Sequence, residues 1–150
     1  MHDVLPFGRS AHTVARKSDG TVWSWGNDVL GQLGDGGPFT GFSATPVQAI
    51  GLGGVTAVAT NVYHTVALKS DGTVWDWANL TGQIGDGTTT DRDAPFHVPG
   101  LTGMIGVSAG WCITIVALKS DGTVWTGAAT AKASSETAPR TTALTRCRWA

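Results

Sequence analysis

Charge, cysteine and long apolar runs are scarce in this 150-residue chain, and each scarcity removes a class of function. Only 14% of residues are charged, the formal net charge is −1 and no run of Lys or Arg occurs, so there is no electrostatic footprint for nucleic acid or an anionic membrane. The two cysteines, Cys112 and Cys147, make neither a disulfide framework nor a metal pair, which leaves the redox compartment open. No segment approaches the roughly 18 apolar residues of a membrane span, and the N-terminal MHDVLPFGRS has no signal-peptide core. The expectation is a chain that stays where it is made, in a compartment the sequence does not name. The glycine-rich stretches lack the Gly-Lys pair of a phosphate-binding loop, and no strand-turn-helix context supports a dinucleotide fingerprint.

What the chain has is glycine, threonine and valine, and it has them periodically. Glycine occupies 21 positions, about twice the usual share, and 41% hydrophobic residues suffice for a core. HTVALKSDGTVWDWA, beginning at His64, has a near copy on either side: HTVARKSDGTVWSWG from His12 and TIVALKSDGTVWTG from Thr114. The shared Ser-Asp-Gly recurs at Ser18, Ser70 and Ser120, giving periods of 52 and 50 residues, a length that signals a propeller or a solenoid. Each copy reads as a β-hairpin. Val66 and Leu68 alternate with Thr65 and Ala67, Lys-Ser-Asp-Gly turns, and Val74, Trp75 and Trp77 return. Gly20, Gly72 and Gly122 are placed to take the positive φ such a turn needs. Trp75 and Trp77, like Trp23 and Trp25, are two apart and share one face of their strand, where they are expected to pack against a neighbouring blade and not against water.

In chain order, residues 1–11 are too short to hold a strand ahead of His12 like the one predicted at Val55–Ala59 ahead of His64, so the first unit reads as interrupted. Pro46–Ile50 and Pro95–Val98 read as short edge strands, because proline donates no ladder bond. The units run over 12–50, 51–98 and, in part, 100–125. Four strands per unit of about 50 residues is the count of one propeller blade. The predicted fold is therefore all-β: a partial β-propeller, an open arc of two to three four-stranded antiparallel blades followed by a disordered or irregular C-terminal tail.

Residues 126–150 break the pattern, with 13 Ala or Thr among 25 residues and Trp149 as the lone aromatic. Regrouping the codons of this stretch, so that each new codon takes the third base of one residue and the first two of the next, permits W-G-S-N-S-Q-G-Q-L-G-D-G-T-T. That is the missing half of the repeat in register. The tail thus reads as out-of-frame translation of a longer propeller gene, with Cys147 and Trp149 carrying no function.

Catalytic chemistry is not expected. His64 and Ser70 stand at opposite ends of one strand, about 20 Å apart at roughly 3.3 Å per residue, which is no triad. Asp86, Asp91 and Asp93 lack the spacing of a calcium loop and read as solvated carboxylates. His12 and His64 recur at a strand start and read as histidines hydrogen-bonded to neighbouring backbone. No cofactor and no metal site is implied.

The strings that recur resemble the repeat of the regulator of chromosome condensation family: His-Thr-x-Ala-Leu, a Gly turn, Trp-x-Trp-Gly-x-Asn and Gly-Gln-Leu-Gly-x-Gly. Here the pattern falls on His12, Gly20, Trp23, Trp25, Gly26, Asn27, Gly31, Gln32, Leu33 and Gly34. It falls again on His64, Gly72, Trp75, Trp77, Asn79, Gly82, Gln83 and Gly85, and on Gly122 and Trp125 in the third copy. Ala78 replaces a glycine, and the third copy has lost the histidine. The short, nearly identical units look like bacterial members. The resemblance implies a propeller that usually has seven blades and serves as a protein-interaction platform, of which this chain would be a fragment able to self-associate through its open blade edges. An exchange-factor-like action on a small GTPase is the alternative that the family implies, and a carbohydrate- or ligand-binding propeller a second. The basic arms of the chromatin-binding member have no counterpart here. Gly110-Trp111-Cys112-Ile113-Thr114 lacks the Arg and His of the plant ultraviolet sensor's Gly-Trp-Arg-His-Thr setting.

Overall fold

A computed structural model of the chain describes residues 3–5, 12–38, 41–78, 92–110 and 114–128. Among them there is no helix. Three antiparallel sheets follow one another along the chain. The first blade contains β1 (Asp3–Leu5), β2 (His12–Arg16), β3 (Val22–Asp28) and β4 (Gly41–Gln48), hydrogen-bonded in that order. The second contains β5 (Val55–Thr60), β6 (Thr65–Lys69), β7 (Val74–Trp77) and β8 (Phe96–His97). The third contains β9 (Met104–Gly110), β10 (Thr114–Lys119) and β11 (Val124–Ala128).

The hairpin at the centre of each blade follows from its own sequence. In the second, Leu68 pairs with Val74, Ala67 with Trp75 and Thr65 with Trp77, and Gly72 holds φ at 79° inside the turn. Asp71 fixes the turn by accepting from the backbone N–H of Thr73 at 3.0 Å and from its hydroxyl. The same bonds recur at Asp19–Thr21 and Asp121–Thr123. The alternation along these strands sends residues to two faces, and both are buried in the middle blade. Val66, Leu68 and Val74 join Met104, Ile115 and Ala117 in one core cluster; Ala67 and Trp77 join Val14 and Val22 in another. The core therefore lies between blades and not inside any one of them.

Three expectations need correction. A strand does precede His12: β1 pairs Asp3 with Arg16 and Leu5 with Val14, because three residues suffice to satisfy the inner edge of β2. The outer strand of the first blade begins at Gly41, well before Pro46. Between the pairs Ser24–Val47 and Gly26–Ser43 the register shifts, so Ala44, Thr45 and Pro46 stand opposite Trp25 alone, and the proline sits in a bulge where no ladder bond is demanded of it. The strand ending the third copy does not stop at Trp125, since Thr126, Gly127 and Ala128 pair with Val116, Ile115 and Thr114. Ladder bonds use backbone groups, which small side chains do not obstruct. The remainder of the tail, with Cys147 and Trp149, lies outside the described residues, as do Asp86, Asp91 and 111–113.

Candidate interaction site

The recurrent residues gather at the two ends of each blade. At the end carrying the Ser-Asp-Gly turns, every copy builds the same cluster. Trp23, Trp75 and Trp125 each donate an indole N–H to the hydroxyl of the threonine two residues earlier, at 3.2, 3.1 and 3.0 Å. Lys17, Lys69 and Lys119 stand over those rings, 5.5, 5.5 and 5.7 Å from the centroids. Each ammonium also lies 3.4 to 3.7 Å from the carboxylate of Asp19, Asp71 or Asp121. Hydrogen bonds from Thr21 hold the Asp19 carboxyl down at about 2, and those from Thr73 and Thr123 lower Asp71 and Asp121, so all three are anionic at neutral pH. The result is a row of partly exposed lysine–tryptophan–aspartate groups, one per blade, with rings fixed before any partner arrives.

The turns also join blade to blade. The carbonyl of Gly20 accepts from the N–H of Val55 at 3.1 Å, and that of Gly72 from Met104 at 3.0 Å. A Cβ on Gly20 or Gly72 would fall 3.0–3.1 Å from the backbone of Gly54 or Gly103, so this approach requires glycine.

The opposite end holds a latch between the first two blades. Asn27, Asp28 and Gln32 fold the Gly-Gln-Leu-Gly loop on itself: the Gln32 amide donates to the Asn27 side chain at 3.0 Å, and Asp28 accepts from the N–H of Leu33 at 3.1 Å. This aims the Gln32 carbonyl at the second blade, where it accepts from the Trp77 indole N–H at 2.8 Å and the Thr65 hydroxyl at 3.3 Å. Gly34 lies under that indole, and a Cβ there would be 2.6 Å from its nitrogen. Gly26 takes φ 108° beside Trp25.

His12 belongs to the same latch. Its Nε2 meets the hydroxyls of Thr65 and Thr60 in the next blade. Those hydroxyls have carbonyls to donate to, of Gln32 and of His64, so the bonding assigns the proton to Nε2 of a neutral ring. Burial, with a smaller contribution from the nearby His64, lowers its pKa to about 4. The expected bond from histidine to neighbouring backbone is thus replaced by one to side chains across the interface. His64 departs further: both its ring nitrogens are buried without a partner, and burial lowers it to about 4. The register gives the reason. The positions matching Thr60 and Thr65 are Ala109 and Ile115, neither of which carries a hydroxyl.

The expectation for the paired tryptophans also divides. Trp77 is fully buried against the first blade. Trp75 packs on the edge of the same cluster but keeps part of its ring accessible, beside Lys69 and 5.6 Å from the His97 ring. One buried acid was not anticipated. Asp76, on the face opposite the tryptophans, is inaccessible, and both its oxygens lack a hydrogen-bond partner of normal geometry. Burial raises its pKa well above the usual carboxylate value, only partly opposed by the Trp77 backbone N–H. Ser24 occupies the same place in the first blade. Among the described residues, no three His, Cys, Asp or Glu side chains come together.

A family model described as the regulator of chromosome condensation (RCC1) repeat matches residues 19–68, from the first turn into β6 of the second hairpin. Residues 19–68 are thus an RCC1 repeat. The zebrafish (Danio rerio) protein RCC2 homolog is 35% identical over 55% of this chain and 17% of its own length. The ultraviolet-B receptor UVR8 of Arabidopsis thaliana is 34% identical over 70% of this chain and 24% of itself. The human probable E3 ubiquitin-protein ligase HERC3 is 37% identical over 58% of this chain and 8% of itself. The chain thus spans less than a quarter of the length of each of these relatives. Human WBSCR16 superposes with a TM-score of 0.70 at 23% identity, covering 83% of this chain and 32% of that one. Yeast RCC1 (Prp20), solved bound to Kap60, superposes with 0.68 at 18%, covering 78% and 30%. Both share the blade architecture of this chain.

Proposed function

We propose that the chain is a non-catalytic protein-interaction module, and that the turn end of the blades is its docking face. The observation that carries this reading is the row of three pre-set lysine–tryptophan–aspartate groups. Most of the other recurrent polar groups are spent inside the latch, whereas these stand at the surface, and a tryptophan ring already held in one rotamer loses little entropy on being covered. The Kap60 complex of yeast RCC1 (Prp20) supports a protein partner, as does a second structure of that same protein, studied for its binding to Gsp1p and histones.

The test has two stages. Proteins retained by the immobilised chain are purified and titrated individually against it. They are then titrated against the triple variant Trp23→Ala/Trp75→Ala/Trp125→Ala, with circular dichroism confirming retained strand content. A loss of affinity of about tenfold or more is expected, since three aromatic anchors are removed. Equal binding by the variant, or no saturable partner, overturns the reading. Release of labelled guanine nucleotide from a panel of small GTPases is expected to be no faster with the chain present.

A further inference from the structure

The first and second blades, and the second and third, meet through the same contact made twice. In each case the leading blade offers apolar side chains from its two central strands together with the carbonyl of its turn glycine. The following blade covers them and supplies an N–H, from Val55 or Met104. The third blade offers the same set to nothing in the described structure. Leu118 is 39% and Val124 59% exposed, whereas their counterparts Leu68 and Val74 are at 4% and 0%. Gly122 keeps φ 84° with no atom within 4 Å of its Cβ position, although Gly20 and Gly72 each abut a neighbouring backbone. At the other end, Thr13, Ala15, Trp23 and Trp25 of the first blade are only half-buried, while Thr65, Ala67 and Trp77, which match three of them, are inaccessible.

We propose that these two surfaces bind each other in different copies of the chain, the trailing face of the third blade receiving the leading face of the first blade of a second copy. The argument is one of continuity: the two halves of an interface already used twice within the molecule remain at its ends, in the same orientation. Val116, Leu118 and Val124 on one side, and Thr13, Ala15 and Trp25 on the other, carry no charge, so covering them desolvates none. Such a contact is heterologous. It leaves a free face on each copy and permits growth beyond two.

Two single-face variants of the whole chain test this. Val124→Glu places a charge on the trailing face, at a position already exposed in the isolated chain and so compatible with folding. Ala15→Glu does the same on the leading face, with Trp25→Lys as the second choice should Ala15→Glu lose its strand signal in circular dichroism. Light scattering of the unmodified chain is expected to give a mass that rises with concentration through dimer and beyond over the micromolar range. Each variant alone is expected to stay at the monomer mass, and an equimolar mixture to form a dimer and stop, since the mixture retains one good pair of faces. An unmodified chain that stays monomeric overturns the proposal. So does a variant that still associates alone, which marks same-face or unspecific aggregation, and so does a mixture that stays monomeric.

Discussion

Ala78 and Asp76 show how single residues depart from a repeat at measurable cost. Ala78 holds φ at 66°, a region that L side chains adopt with strain, at the place where the first blade has Gly26. Ala78→Gly removes that strain and is expected to stabilise the chain by about 1 kcal/mol, read as a higher urea midpoint at unchanged slope. Asp76 is the stronger case. Its folded pKa lies above its unfolded value of 3.8, so the stability tied to its protonation is present below about pH 4 and is lost as pH rises toward the folded value. Asp76→Ser, which installs the residue of the first blade, is expected to stabilise by about 1–3 kcal/mol at pH 7. The gain should shrink toward pH 4. A gain independent of pH would show that the carboxyl is not what the site penalises.

Among the structural elements, the latch is where stability concentrates. The Trp77 ring is fully buried and its N–H is bonded, so Trp77→Ala is expected to lose about 3–5 kcal/mol. Gly34→Ala, which adds one carbon 2.6 Å from the indole nitrogen at φ 70°, is expected to lose about 2 kcal/mol or more, with chemical denaturation as the measurement. The two histidines next to it set the response to acid. Each has a folded pKa of about 4 against 6.5 in the unfolded chain. Their neutral forms therefore contribute fully above pH 6.5, and that contribution is lost as pH falls from 6.5 through 4, by about 3 kcal/mol per histidine. His64 makes no hydrogen bond through its ring, so His64→Leu is expected to flatten this acid limb by about half and to cost little at pH 7.5. An unchanged limb would assign the acid sensitivity elsewhere.

For the whole molecule, the third blade shows an interface that is half repeated. Gly127 pairs with Ile115 as Trp77 pairs with Thr65, so at the latch position the third blade has glycine where the second has tryptophan. The shifted codon reading supplies that tryptophan: one nucleotide added after Trp125 places TGG at position 127 and the Gly-Gln-Leu-Gly string beyond it. The coding DNA is expected to carry bases that read TGG across Thr126 and Gly127, and GAC across Glu136 and Thr137. A third base forbidding either sinks the frame-shift reading of the tail.

By itself the sequence determined the blade. The Lys-Ser-Asp-Gly-Thr-x-Trp turn is closed by bonds spanning two to four residues, so period, hairpin, positive-φ glycine and all-β class were legible from adjacent residues. The lysine seated over each of those tryptophans was legible in principle, since the string recurs unbroken in three copies, but the ring contact appears only in three dimensions. Tertiary structure alone decided which of two like residues is buried, bonded or open. Trp77 is a latch and Trp75 a rim residue because the Gln32 carbonyl, 45 positions away, reaches only one of them. His12 is bonded through Nε2, and His64 through neither ring nitrogen, because their cross-blade neighbours are two threonines in one case and an alanine and an isoleucine in the other. Repeats make local structure legible; the fate of each side chain is fixed by a partner about one repeat away, where near-identical strings face different neighbours.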